Sequence, residues 1–260
     1  MDSSWVAIED PADPRLSDYL SLTDAPGRQA VERSGAFFVC EGALLVERLF
    51  RSQLAIRSVV AVAEQAGRLG VPAGVDAYVV GRDVVAELVG FDFHRGVLAS
   101  AARPRSVPLT DLVGPLVAVE GVADHENLGA IFRSAAALGA GGVVMDPSTT
   151  DPFYRRCVRV SMGAVFALPV ARCVAWPEDL RFVAGGWLVA LSPTGATAIG
   201  DVAVPAGRTP VLMVGSEGAG LSNAALDAAD TVVHIPMVPG HDSLNVGHAL
   251  AIAAHRLFEI

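Results

Sequence analysis

Residues 214–222 read Val-Gly-Ser-Glu-Gly-Ala-Gly-Leu-Ser. Val211–Val214 just before them has the apolar run of a buried strand, and a short helical pattern follows, so the glycines fill the turn from strand to helix. Glycines there let backbone amides approach a ligand closely. The spacing is G-x-x-G-x-G. It matches neither the G-x-G-x-x-G dinucleotide fingerprint nor the G-x-x-x-x-G-K-[ST] phosphate loop, whose lysine is missing from the whole chain. Glu217 inside the turn would repel a phosphate and suits an adenosine bearing a cationic group. A plain tight turn would read the same way.

Outward from this turn, strand and helix alternate. Strands are expected at Leu116–Glu120, Val143–Asp146, Trp187–Ser192 and Val232–Pro236, with helices at Asn127–Leu138 and from about Ser243 to Phe258. Such alternation predicts an α/β fold built on a mostly parallel sheet. Three prolines between Ala101 and Pro115 interrupt the apolar periodicity, which places a linker at 105–115. Residues 116–260 then form one domain and 1–104 another. In the first, apolar runs Ala36–Cys40, Ile56–Val62, Ala77–Val80 and Gly96–Ala99 alternate with helical patterns at 43–49, 63–69 and 83–88, a small α/β domain.

Composition narrows the function classes. The 260 residues are 52% hydrophobic and 18% charged, enough for real cores. Nineteen arginines, with no lysine, face 28 acids for a formal charge of −9, which excludes a broadly basic nucleic-acid binder. An anionic partner must meet a local patch. In the first domain Arg28, Arg33 and Arg95 are candidates for an RNA surface; solvated surface arginines are the plainer alternative. No apolar run reaches the roughly 18 residues that would span a bilayer, and the start lacks the pattern of a secretory signal, so a cytoplasmic protein without a membrane partner is expected. Cys40, Cys157 and Cys173 form no C-x-x-C pair and are expected as buried thiols.

Two further segments carry chemistry. Glu120-Gly-Val-Ala-Asp-His-Glu-Asn-Leu-Gly-Ala-Ile-Phe-Arg133 reads as strand end, polar loop and helix start, with Asn127 a suitable cap. Gly129, Arg133 and Ala137 share one helix face, where small neighbours leave the guanidinium room. Ile131, Ala135 and Leu138 point to the core. Ile235-Pro-Met-Val-Pro-Gly-His-Asp-Ser-Leu-Asn-Val246 ends a strand on prolines, crosses over and opens the last helix, capped by Ser243 or Asp242. Ser243 and Asn245 beside Leu244 and Val246 suit a flat heterocycle held by apolar contacts and a few polar ones. His241, His248 and His255 recur every seven residues, two turns apart and too far for one ion, so no metal is expected.

With these three motifs in order, the chain resembles the SpoU, or TrmH, family of RNA 2′-O-ribose methyltransferases of the SPOUT superfamily. The family pattern N-x-G-x-x-x-R falls on Asn127, Gly129 and Arg133. G-x-E-G-x-G falls on Gly215, Glu217, Gly218 and Gly220, and I-P-M with S-L-N-V on Ile235–Met237 and Ser243–Val246. Arg159-Val-Ser-Met-Gly-Ala164 is similar to the family's R-x-S-x-G-A. The likeness is strong over about 110–260. It is looser in the first domain, where Phe38-Val-Cys-Glu-Gly42 and Gly96-Val-Leu-Ala99 resemble a ribosomal-protein-like RNA-binding module.

The resemblance implies a C-terminal SPOUT trefoil-knot domain, a fold that periodicity does not give. It also implies S-adenosylmethionine held by Val214, Gly215, Gly218, Gly220, Ile235, Met237, Leu244 and Val246, and a homodimer that completes the site. The closing helix, with Val246, Ala249, Leu250, Ala253 and Leu257 on one stripe, is a candidate dimer surface, although burial within one chain would look identical. By resemblance Arg133 is catalytic. Guanidinium is not normally deprotonated in proteins, which favours stabilisation of the incipient alkoxide over general-base action. Asn127 is expected to orient Arg133 or the ribose, Glu217 to position its loop and a neighbouring arginine, and Ser243 with Asn245 to hold the third loop. Arg155, Arg156 and Arg159 are the candidate phosphate contacts near the donor site, with pairing to Asp151 or nearby acids as the alternative. The expected substrate is ribosomal or transfer RNA. A catalytically silent RNA-binding or assembly protein and an antibiotic-resistance methyltransferase share the same motifs.

Overall fold

The structure is a computed structural model that describes residues 5–23, 25–90, 95–238, 240 and 243–258. His241 and Asp242, weighed above as metal ligand and helix cap, lie outside the described residues. The chain forms two compact units. One holds the residues up to Pro104 together with Phe153–Arg159, the other Arg105–Pro152 and the residues from Val160 on.

In the first unit the elements run β1 (Val6–Ile8), α1 (Ala25–Ser34), β2 (Phe37–Glu41), α2 (Ala43–Phe50), β3 (Ile56–Val62), α3 (Ala63–Ala66), β4 (Asp76–Val80), α4 (Arg82–Val89) and β5 (Val97–Ala102). The five strands form a mixed sheet in the order β1-β4-β3-β5-β2, with β5 antiparallel to both neighbours. Its core gathers Leu16, Tyr19, Phe37, Val39, Val60 and Leu98. Tyr19 is fully buried, and its hydroxyl accepts from the Ser100 amide at 3.1 Å and bonds the Ser58 carbonyl at 2.8 Å. Burial pushes its pKa above the ordinary tyrosine value, against the opposing pull of the bonds to Ser58 and Ser100.

Arg28 is not an RNA contact. It is 4% exposed, donates to Glu32 Oε1 at 2.9 Å and to the carbonyls of Leu20 and Asp18, and lies over the Phe37 ring. A buried guanidinium needs such partners, and Glu32 supplies the charge. Arg155 likewise joins the first unit's packing. Its Nη1 lies 3.3 Å from Glu41 Oε2 and its Nη2 donates to Leu22 O, while Phe153 packs on Phe38 at 5.2 Å between ring centroids. The acid that holds Arg155 is thus Glu41, distant in sequence. Arg33 and Arg156 are exposed and Arg159 is half-buried; Arg95 lies 3.6 Å from Glu41.

The second unit is built from β6 (Leu116–Val119), α5 (His125–Ala137), β7 (Gly142–Met145), the end of α6 (Arg155–Val160), β8 (Val170–Arg172), β9 (Gly186–Leu191), β10 (Thr197–Ala198), β11 (Thr209–Val214), α7 (Asn223–Ala228), β12 (Thr231–His234) and α8 (Val246–Leu257). Its seven strands are all parallel, in the order β10-β12-β9-β11-β6-β7-β8. Every residue of β6 and β7 is buried, as expected of central parallel strands covered on both faces.

Four expectations are corrected here. The stretch 105–115 is not a free linker. Val107 N donates to Val170 O at 2.9 Å, Ser106 Oγ accepts from Arg172 N, and Leu112 is buried in the second core. Its apolar residues between prolines find partners on that unit. The α5 helix starts at His125 because Asp124 wins the cap, its carboxylate accepting from the amides of Glu126 and Asn127. The α8 helix starts at Val246, capped by Asn245 Oδ1 accepting from Gly247 N at 3.0 Å, and not by Ser243. The α8 stripe is also not a dimer surface: Val246, Leu250, Ala253 and Leu257 are buried within the chain. α8 lies against α5 so closely that a Cβ on Gly247 would come within 2.7 Å of Ala130 Cβ.

Candidate functional site

The parallel strands β12, β9 and β11 lie side by side, so the loops after them leave from one edge of the sheet. Those loops, with the start of α8, enclose a cavity of about 560 Å³. It is lined by Val214, Gly215, Gly218, Gly220, Ile235, Met237, Leu244 and Val246, all eight residues singled out for the donor, and also by Glu217 and Ser243. Motif spacing did not point to Leu191, Ser192, Pro193 and Thr194 after β9, nor to Asn223, Leu226 and Ala249. The signal for the first group was the change from an apolar strand to Ser-Pro-Thr-Gly at a strand's carboxyl end, where open parallel sheets bind ligands.

The glycine loop is tight for a definite reason. Gly220 N donates to Ser216 O at 3.0 Å and Ala219 N to Ser216 Oγ at 3.3 Å, folding the loop back on its own start. A Cβ on Gly215 would sit 2.1 Å from the Gly220 carbonyl, so only glycine allows that closure. Gly220 holds φ +69°, the left-handed region that favours glycine. Ser222 ends the loop as the cap of α7, accepting from Ala225 N, and its own amide donates to Glu120 Oε2 at 2.9 Å. Glu120 at the end of β6 thereby ties the first motif to the second.

A single side chain joins all three motifs. Asn245 Nδ2 donates to Asn127 Oδ1 at 2.7 Å and to Glu217 Oε1 at 2.7 Å. Both amide hydrogens are used, and the Asn245 oxygen caps α8. The partner of Glu217 is therefore an asparagine, where an arginine was expected. Arg133, on α5 with Asn127, is exposed and makes no hydrogen bond or ion pair with a described residue.

The sequence model of the SpoU rRNA Methylase family matches residues 114–255. The chain belongs to that family. An uncharacterised tRNA/rRNA methyltransferase of Mycobacterium tuberculosis is 39% identical over 94% of this chain and 88% of its own length. Among solved structures, an AdoMet-bound rRNA methyltransferase from Sinorhizobium meliloti is 28% identical, with a TM-score of 0.82 over 96% of both chains. An RNA 2′-O ribose methyltransferase is 27% identical, with a TM-score of 0.74 over 96% of this chain and 97% of its own. The α/β architecture expected from the alternation of strand and helix, with a SPOUT-type C-terminal domain, is borne out by this likeness.

Two of the three cysteines of this SpoU-family chain are held as neutral thiols. Burial pushes the Cys40 and Cys173 thiols up to about 12, so neither offers a thiolate at neutral pH. Among the described residues no group of three His, Cys, Asp or Glu side chains is placed to hold a metal ion, and no helix is long and apolar enough to cross a membrane.

Proposed function

We propose that this protein transfers a methyl group from S-adenosylmethionine to a ribose 2′-hydroxyl of ribosomal or transfer RNA. The observation that carries the proposal is the Asn245 bridge, which places Asn127, Glu217 and the third loop together beside one cavity. Support for the donor comes from the cavity itself. Its volume of about 560 Å³ lies within the roughly 300–1,000 Å³ of small-molecule sites. Leu191, Ile235, Leu244 and Val246 offer apolar faces for a heterocycle, Gly218 and Gly220 leave open space where a Cβ would stand, and Glu217 offers the only carboxylate of the lining among the described residues. When bound, the sulfonium donor supplies an electrophilic methyl group.

The chain's own residues then have distinct tasks. Arg133 donates to the 2′ oxygen as negative charge develops there, the part of an oxyanion donor. The hydroxyl proton passes to solvent. Asn127, fixed through its oxygen by Asn245, keeps its Nδ2 hydrogens for the ribose or for orienting Arg133. Ser243 lines the cavity. For RNA, Arg33, Arg156 and Arg159 remain the phosphate candidates, and the first unit supplies recognition of shape. A second copy of the chain would cover Met237, Val238 and Leu244 around the third loop and Ile252 on α8, apolar side chains that are exposed in one copy.

The test is transfer of label from S-adenosylmethionine to RNA of a strain lacking the gene, followed by mass spectrometry of the nucleosides. A 2′-O-methylated nucleoside that appears only with active enzyme supports the proposal; methylation of a base, or none, overturns it.

A further inference from the structure

We propose that Asp146 and Arg172 clamp the 146–150 loop against the entry of α5 and so act as positioning residues for Asn127 and Arg133; this rests on the methyltransferase reading above. Asp146 directly follows β7, is 5% exposed, and among the described residues its carboxylate pairs with no arginine. It collects donors instead. Gly121 N at 3.1 Å, Ser148 N at 3.1 Å and Thr149 N at 2.8 Å donate to it, as do the hydroxyls of Ser148 and Thr149. Burial alone would raise the Asp146 carboxyl, but these hydrogen bonds outweigh it and hold the group below its ordinary value.

Gly121 is the second residue after β6 and Asp146 the first after β7, so this carboxylate ties the two strand ends together. The loop continues the contact. Val122 N donates to Thr149 Oγ1 at 3.3 Å, Thr150 N to Val122 O at 3.0 Å, and Thr150 Oγ1 lies 2.9 Å from His125 Nε2. His125 is the first residue of α5. From the other side Arg172 on β8 donates to the carbonyls of Asp146 at 3.4 Å, Thr149 at 3.2 Å and Thr150 at 3.4 Å. These bonds are long, but one planar guanidinium makes all three, a grip an ammonium group does not reproduce. Asn127 follows His125 by two residues, and its oxygen must meet Asn245 at 2.7 Å. A displacement of α5 by about 1 Å is the kind of error that costs on the order of 10²-fold in rate.

The test compares D146N, R172K, T150V and T150S in the full chain. The measured quantities are kcat, KM for S-adenosylmethionine, melting temperature, and hydrogen exchange of amides 121–127. The clamp predicts that D146N and T150V lower kcat by about tenfold or more while the donor KM stays within about twofold. It also predicts that R172K falls between, that T150S restores kcat, and that exchange at 121–127 rises in D146N. Wild-type kcat in both D146N and T150V overturns it, as does a fall of kcat together with donor affinity that tracks the melting temperature. Unchanged exchange at 121–127 in D146N overturns it too. Should the wild-type protein methylate no RNA, the methyltransferase reading fails by itself, and the exchange measurement still decides the clamp.

Discussion

Replacing Asn245 by aspartate separates what this residue does for the fold from what it does for the site. The new side chain keeps an oxygen for Gly247 N, so the α8 cap survives; alanine removes it, at about 1 kcal/mol. Either change deletes the two donations to Asn127 and Glu217. In exposed surroundings the low end of the usual range applies, about 2 kcal/mol for one neutral and one charge-assisted bond. Aspartate adds repulsion from the Glu217 carboxylate, about 1 kcal/mol at contact distance in water. If the bridge is needed only in the reacting geometry, N245D loses about 3 kcal/mol of transition-state stabilisation, on the order of 10²-fold in kcat/KM. Its melting temperature should nevertheless lie within about 2–4 °C of that of N245A, because the retained cap and the added repulsion, each roughly 1 kcal/mol, offset one another. Methyl transfer to RNA and thermal melts of the three proteins give both numbers. N245D with wild-type kcat/KM would refute the bridge as part of the site, and N245D melting more than about 4 °C below N245A would refute the cap.

R133K should retain measurable turnover, because a charge-only role needs a cation and not a guanidinium; complete loss across an alkaline pH series would count against it. G215A, whose Cβ would meet the Gly220 carbonyl at 2.1 Å, should cost about 1–3 kcal/mol by overpacking and abolish the rise in melting temperature with S-adenosylmethionine. R28M should lower the urea midpoint by the equivalent of about 3 kcal/mol by leaving Glu32 without its closest partner, yet leave the salt slope of RNA binding unchanged; a reduced slope would return Arg28 to the RNA surface. The folded pKa of Asp146 lies below the unfolded value of about 3.9, so its stabilisation is present above that pH and is lost as pH falls through the folded pKa. The stability gap between wild type and D146N should therefore narrow on acidification below about pH 4, and a constant gap in urea titrations would contradict the linkage.

The central strands were legible because burial on both faces writes unbroken apolar runs, as in Val59–Val62 and Leu116–Val119. Strands β1, β8 and β10, of two or three residues, are too short for any period to register. Helix α1 escaped notice for a different reason. Its buried face carries Arg28 and Glu32, a four-residue ion pair, where a hydrophobic stripe would have announced it. The same pair misled the search for RNA contacts, since sequence does not distinguish an arginine held by a buried acid from one facing solvent. Segment 153–159 joins the first unit through Phe38 and Glu41, more than 100 residues away, and no local pattern encodes such a partner. In the site, motif order gave the residues but not the link between them: an Asn245 side chain with two acceptors at 2.7 Å depends on how α5 and α8 pack, down to Gly247 against Ala130.

That link has little to do with holding the molecule together. Asn245 and Glu217 are exposed, and exposed polar contacts contribute about 1 kcal/mol or less each against water. Bringing together positions 118 and 28 residues apart in the chain needs far more than this, because closing long loops has a conformational cost that grows with their length. The parallel sheet meets that cost, with β6, β9 and β11 in register and residues such as Leu116, Val189, Leu212 and Met213 fully buried. The bridge is thus a consequence of the scaffold, and its geometry is set before any substrate arrives. Groups fixed in that way need no reorganisation when charge develops on a reacting oxygen, which is where a weak contact in the resting protein acquires its value in catalysis.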